Sequence, residues 1–216
     1  MLPTPYYDQG GITIYRGDSR VILPLLVLGE AVLVTDPPYG MAYKSGHRKR
    51  GEHERIEGDL TAELRDEILA LWGGRPALVF GTWRVARPAG VAQLLIWDKG
   101  ESPGMGDLAI PWGPGHEEIY VLGGGFAGRR KSNVLRYNTL PASAHDRPDH
   151  PTPKPVPLMR DLISYCPRSA VIVDAFIGSG STLRAAKDLG RRAIGIEVNE
   201  KYCQIAVERL RQEVLI

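Results

Sequence analysis

Short apolar runs rich in β-branched residues recur along the chain. They predict strands at Ile12–Tyr15, Ala31–Thr35, Ala77–Gly81, Leu94–Trp97, Glu118–Leu122, Val171–Asp174 and Ala193–Glu197. Between them the apolar period lengthens to that of a helix. Leu60, Leu64, Ile68, Leu71 and Trp72 fall on one face of a predicted helix over Leu60–Trp72. Similar spacing predicts helices over Leu158–Cys166, Thr182–Leu189 and Glu200–Glu213. Strands alternating with helices imply an α/β fold with a doubly wound, mostly parallel sheet, in which ligands bind beyond the carboxyl ends of strands. Asp36, Gly178 and Glu197 all stand at or just past such ends. The chain has no internal repeat. Its one compositional break is "PASAHDRPDHPTPKPVP", with six prolines from Pro141 to Pro157, which is expected to cross the surface in extended form.

Composition narrows the class. With 216 residues, 43% hydrophobic and 24% charged, the chain suits one substantial core and one domain over 1–216. The longest apolar stretch, "VILPLLVLG", is broken by Pro24 and too short to span a bilayer. The N-terminus lacks the basic and apolar regions of a secretory signal, so a cytoplasmic location is expected. Cys166 and Cys203 have no metal or dithiol spacing and are expected to be buried, inert thiols. The net charge is only +2, but "YKSGHRKRGEHER" (43–55) and "GRRKSNVLR" (128–136) concentrate positive residues. Arg48, Lys49, Arg50, Arg129, Arg130 and Lys131 are the candidate phosphate contacts.

Three stretches carry candidate chemistry. In "TDPPYG" (35–40) a predicted buried strand ends in a carboxylate, two prolines and a tyrosine. Pro37 and Pro38 fix φ and remove two N–H donors, so carbonyls are presented without matching donors. The result is a rigid acceptor platform beside an aromatic face. In "VIVDAFIGSGSTLRAAKDLG" (171–190) a strand runs into Gly178-Ser179-Gly180, and a helix starts near Ser181 or Thr182. Such a loop allows close backbone approach and presents free N–H groups to an anion. Glu197, nineteen residues beyond Gly178, suits a ribose diol. Leu183 breaks the dinucleotide fingerprint and no Walker lysine follows, so an adenosine-bearing ligand without a pyrophosphate fits better. S-adenosylmethionine, with adenine, ribose diol and carboxylate, meets that description.

The third stretch, "DHPTPKPVPLMRDLI" (149–163), resembles the H-P-T-x-K-P segment of DNA amino-methyltransferases. "DPPYG" resembles their catalytic motif and "DAFIGSGST" their S-adenosylmethionine loop; "IYRGDS", "LIWDKG" and "HEEIYVLGG" are similar to further family segments. The order, with the catalytic motif first and the glycine loop near the end, looks like the permuted β group of the N6-adenine and N4-cytosine family. The resemblance implies a Rossmann-like methyltransferase sheet and a site-specific enzyme acting on duplex DNA. Asp36 and the Pro37 carbonyl would accept from the target amine, with Pro38 and Tyr39 completing the catalytic set and Tyr39 stacking on a flipped base. Asp18 would face the cofactor adenine, Thr152 and Lys154 its carboxylate, and Glu197 its ribose. Asp174, Phe176, Gly178, Gly180, Ser181 and Thr182 complete the cofactor set. His150 is expected to be structural, and no metal is required. The aspartate heading the motif favours adenine, since cytosine-acting members more often carry serine there. N4-cytosine, RNA or a non-catalytic nucleic-acid-binding subunit are the alternatives. A short insertion at about 124–148 is left for target recognition, which implies a short target site, a contribution from the 43–55 loop, or a homodimer or second subunit.

Overall fold

The computed structural model describes residues 1–38, 62–100, 109–139 and 153–212. Tyr39, Arg48, Lys49, Arg50, Leu60, His150, Thr152 and Glu213 lie outside the described residues, as does most of the proline-rich stretch.

Among the described residues nine strands form one sheet: β1 (Tyr7–Gln9), β2 (Ile12–Arg16), β3 (Ala31–Thr35), β4 (Ala77–Gly81), β5 (Val91–Asp98), β6 (His116–Leu122), β7 (Val134–Arg136), β8 (Val171–Asp174) and β9 (Ala193–Glu197). Their spatial order is β1-β2-β9-β8-β3-β4-β6-β5-β7. From β2 through β4 every neighbouring pair is parallel. β1 on β2, β4 on β6 and β6 on β5 are antiparallel, and β7 returns parallel to β5. The sheet is therefore mixed, with the expected parallel centre.

The α-helices among the described residues are α1 (Ser19–Ile22), α2 (Glu63–Trp72), α3 (Val156–Ser164), α4 (Ser181–Asp188) and α5 (Glu200–Arg211). Side chains alternate across each strand, and both faces are covered. Val32, Val34, Phe80 and Ile172 pack with Leu158, Leu183 and Ala206 of α3, α4 and α5. Leu33, Val79 and Val173 pack on the opposite face with Ile22, Ile68 and Trp72 of α1 and α2. Burial on both faces explains why β3 and β4 read as unbroken apolar runs.

The described end of the proline-rich stretch, 153–157, departs from the expected surface path. Pro153, Lys154 and Pro155 are buried, and α3 begins at Val156 with Pro157 in its first turn. A proline there loses no intrahelical bond, because first-turn N–H groups have no partner within the helix. Cys166 and Cys203 are both buried, and desolvation pushes each thiol up to about 12.

Candidate active site

The carboxyl ends of β3 and β8 lie side by side, with Leu33 opposite Val173. Just past that pairing, the buried Thr35 hydroxyl donates to Asp174 Oδ1 at 2.7 Å. The same oxygen accepts from Phe176 N–H at 3.0 Å. Burial pushes Asp174 up to about 6, against the hydrogen bonds from Thr182, Thr35 and Phe176 that favour its ionised form. Asp174 thus ties the Asp36 segment to the start of the glycine loop.

Along that loop Gly178 and Gly180 have φ of 47° and 77°. Gly180 caps α4, and a Cβ on it would stand 2.8 Å from Ala206 Cβ and 3.1 Å from Ala206 Cα. Only glycine meets both demands, the left-handed backbone and the close approach of α5. Arg209 of α5 donates to Ser179 Oγ at 3.2 Å and to Ser181 Oγ at 2.9 Å. The Ser181 hydroxyl therefore serves a bond to α5, and the Thr182 hydroxyl one to Asp174 at the end of β8.

Glu197 ends β9. Its Oε2 accepts from Gly178 N–H at 3.0 Å and its Oε1 from Asn199 N–H at 2.9 Å. Burial raises this carboxyl above its ordinary range, against those two bonds. Gly17 N–H donates to the Glu197 carbonyl at 2.9 Å, which brings the β2 end alongside. There Asp18 caps α1, accepting from Arg20 N–H at 2.8 Å and from the Arg20 guanidinium at 2.6 Å. That guanidinium holds Asp18 below the usual carboxylate range. The Ser19 hydroxyl donates to the Ala175 carbonyl, joining α1 to the glycine loop. Asp18, Gly178 and Glu197 thus gather at one end of the sheet, and the half-buried Phe176 of the same loop packs against the apolar cluster on the α1–α2 face.

Asp36 follows β3, half-buried, with buried Pro37 and half-buried Pro38 after it. Its Oδ2 lies 2.6 Å from Lys154 Nζ, which also lies 3.0 Å from Glu117 Oε2. Lys99 Nζ reaches Glu117 Oε1 at 2.8 Å. Lys154 sits over Phe80 and Trp97 at 5.0 and 5.8 Å from the ring centroids. Burial alone would push this ammonium down, but Asp36 and Glu117 outweigh it and hold Lys154 above its ordinary value. Burial likewise pushes Glu117 up, and the two lysines more than reverse that. Lys154 is therefore found on the Asp36 carboxylate. Sequence reasoning missed Glu117 and Lys99. The available signal was the pair of acids opening the strand "HEEIYVL", of which Glu118 is buried against Arg87 and Tyr120 on the other face.

The basic candidates within the described residues divide. Arg129 and Arg130 are exposed, whereas the Lys131 ammonium pairs with Asp161 and lies 4.9 Å from the Tyr165 ring centroid. Trp83, which sequence reasoning also missed, is 64% exposed two residues past β4, beside the strand that leads to Asp36.

Comparison with known proteins places this geometry. A family model described as DNA methylase, of the N6/N4 type, matches residues 96–208. The type II methyltransferase M.ScaI of Streptomyces caespitosus is 42% identical over 272 aligned residues, covering 98% of this chain and 85% of M.ScaI. The M1.HpyAVI–SAM complex superposes with a TM-score of 0.65 at 23% identity, over 93% of this chain and 100% of that one. The cytosine-N4-specific PvuII DNA methyltransferase superposes with a TM-score of 0.73 at 15% identity, over 98% and 90%. The two structures share the fold, while the family model and M.ScaI carry the assignment: this chain belongs to the N6/N4 family of DNA amino-methyltransferases, whose methyl donor is S-adenosylmethionine.

Proposed function

We propose that the protein methylates the exocyclic N6 amine of an adenine flipped out of duplex DNA, with Asp36 as the principal acceptor. The observation that carries this reading is the Asp36 carboxylate at the end of β3, one strand from the glycine loop and held at 2.6 Å by Lys154. S-adenosylmethionine supplies a methyl group on a sulfonium. The residues present fit that donor: two glycines with positive φ, the Glu197 carboxylate at a strand end and the half-buried Phe176.

An adenine amine is a poor nucleophile because its lone pair is delocalised into the ring. Asp36 accepts one N–H and the Pro37 carbonyl the other, which favours rehybridisation and frees the lone pair. Preorganised acceptors strengthen as positive charge develops on nitrogen, so they lower the barrier rather than merely bind. The proton released when the nitrogen carries its new methyl passes to the Asp36 side. Tyr39 stacks on the flipped base, an interaction worth roughly 1–3 kcal/mol.

Adenine rather than cytosine rests on the aspartate heading the motif. We further infer one catalytic domain over 1–216, with the insertion at about 124–148 reading the target. The test is incubation with labelled S-adenosylmethionine and duplex DNA, followed by nucleoside mass spectrometry. N6-methyladenine is the expected product. N4-methylcytosine alone would overturn the choice of base while leaving the Asp36 chemistry intact.

A further inference from the structure

Four side chains from four separate segments form an alternating series of charge: Asp36, Lys154, Glu117 and Lys99, joined at 2.6, 3.0 and 2.8 Å. Lys154 is 7% exposed, Lys99 13% and Glu117 15%. Such a series is a poor way to gain stability, since apolar residues of similar size usually do as well without the desolvation cost. What it does provide is fixed geometry. The Asp36 end is the more exposed, at 26%, and it is the end assigned above to the target amine.

We propose that Glu117 is a positioning residue for methyl transfer, acting through Lys154 on Asp36. This rests on the reading that Asp36 accepts from the target amine. Lys154 on Oδ2 sets the plane of the Asp36 carboxylate. Lys154 is itself set by Glu117, whose second oxygen is fixed by Lys99 at the end of β5. The Lys99 backbone N–H is anchored in turn on the Gly115 carbonyl at 2.9 Å. Glu117 also shares the positive charge of Lys154. Without it more of the ammonium's charge would bear on Asp36 and weaken that carboxylate as an acceptor for an amine that is becoming cationic. The buried Phe80 and Trp97 rings lie against Lys154 and give it no carboxylate to replace Glu117.

The experiment is single-turnover methylation of duplex DNA at saturating S-adenosylmethionine, with wild type as the control. Glu117→Gln should lower the rate about 10- to 100-fold, the scale of a small misplacement in an active site. Its affinity for S-adenosylhomocysteine should stay within about twofold, because the series does not include Glu197 or the glycine loop. In a Lys154→Met background the same substitution should change the rate less than about twofold, since its route to Asp36 is gone. A wild-type rate in Glu117→Gln, or an undiminished effect in the Lys154→Met background, overturns the proposal. If Glu117→Gln does not fold, Lys99→Met decides: a rate at least about threefold lower supports the series, and an unchanged one overturns it. A wild-type enzyme that transfers no methyl group would instead remove the Asp36 reading on which the proposal stands.

Discussion

The Glu197 carboxylate is bonded to the glycine loop itself: Oε2 accepts from Gly178 N–H at 3.0 Å, across nineteen residues of sequence. Its other oxygen holds Asn199 N–H at 2.9 Å, at the start of α5. One side chain thus fixes the loop, the β9 end and a helix start. A carboxylate offers about four lone-pair positions, so accepting two N–H bonds leaves capacity for a diol. Glu197→Ala is expected to weaken S-adenosylhomocysteine binding by about 1.5–3 kcal/mol, the worth of charged hydrogen bonds. Calorimetric titration measures it, and an unchanged dissociation constant would remove Glu197 from the cofactor site.

Asp36 should separate binding from chemistry in the opposite sense. Asp36→Asn keeps the shape of the side chain but removes its charge and replaces one carboxylate oxygen with an NH2 group that cannot accept. Methyl transfer is expected to fall ~10²–10⁴-fold, the usual contribution of such a group. Cofactor affinity should remain within a few-fold of wild type. A variant retaining a tenth or more of the wild-type rate would remove Asp36 from the catalytic role.

Asp174 gives a pH signature. Its folded value of about 6 lies above the ordinary 3.8, because burial outweighs its hydrogen bonds. The native state therefore holds this proton more tightly than the unfolded chain does. The associated stability is fully present below about pH 4 and is lost as pH rises through about 6. Asp174→Asn cannot ionise. Its stability relative to wild type should therefore climb between pH 4 and 7, by at most about 1.4 kcal/mol per pH unit. Urea melts of both proteins across that range test this, and a constant difference would mean that Asp174 ionises freely in the fold.

The central strands and the Asp36 and glycine-loop stretches were legible because each is contiguous in sequence. Ala31–Thr35 declares a doubly buried strand, and "DPPYG" follows it directly. The edge strands were not legible. β1 is Tyr-Asp-Gln and β7 Val-Leu-Arg, three residues each, made strands by pairing with β2 and β5 rather than by their own pattern. β5 starts three residues earlier than its apolar run because Val91 pairs across a bulge near Gln93. The Asp36–Lys154–Glu117–Lys99 series was hidden for a different reason. Its members come from positions 36, 99, 117 and 154, and only folding brings them together. Lys154 in particular looks like a surface charge among prolines, yet the carboxylates waiting for it make its burial possible.

The basic segment after β6 should divide in function as it does in structure. Lys131 is already paired with Asp161 and lies against Tyr165, whose hydroxyl donates to the Arg129 carbonyl at 2.8 Å. These interactions fix the backbone so that Arg129 and Arg130 project as exposed cations. Replacing Arg129 and Arg130 with alanine is expected to weaken binding to unrelated duplexes alike. It should also reduce the slope of log affinity against log salt by about 0.9 for each phosphate that is no longer neutralised. Lys131→Ala should have the smaller effect on that slope, because its charge is already spent on Asp161, and should instead loosen the segment. Fluorescence anisotropy with a labelled duplex at several salt concentrations separates the two outcomes. An unchanged slope in the double arginine variant would make this segment solvated surface and assign phosphate binding to other cations of the chain.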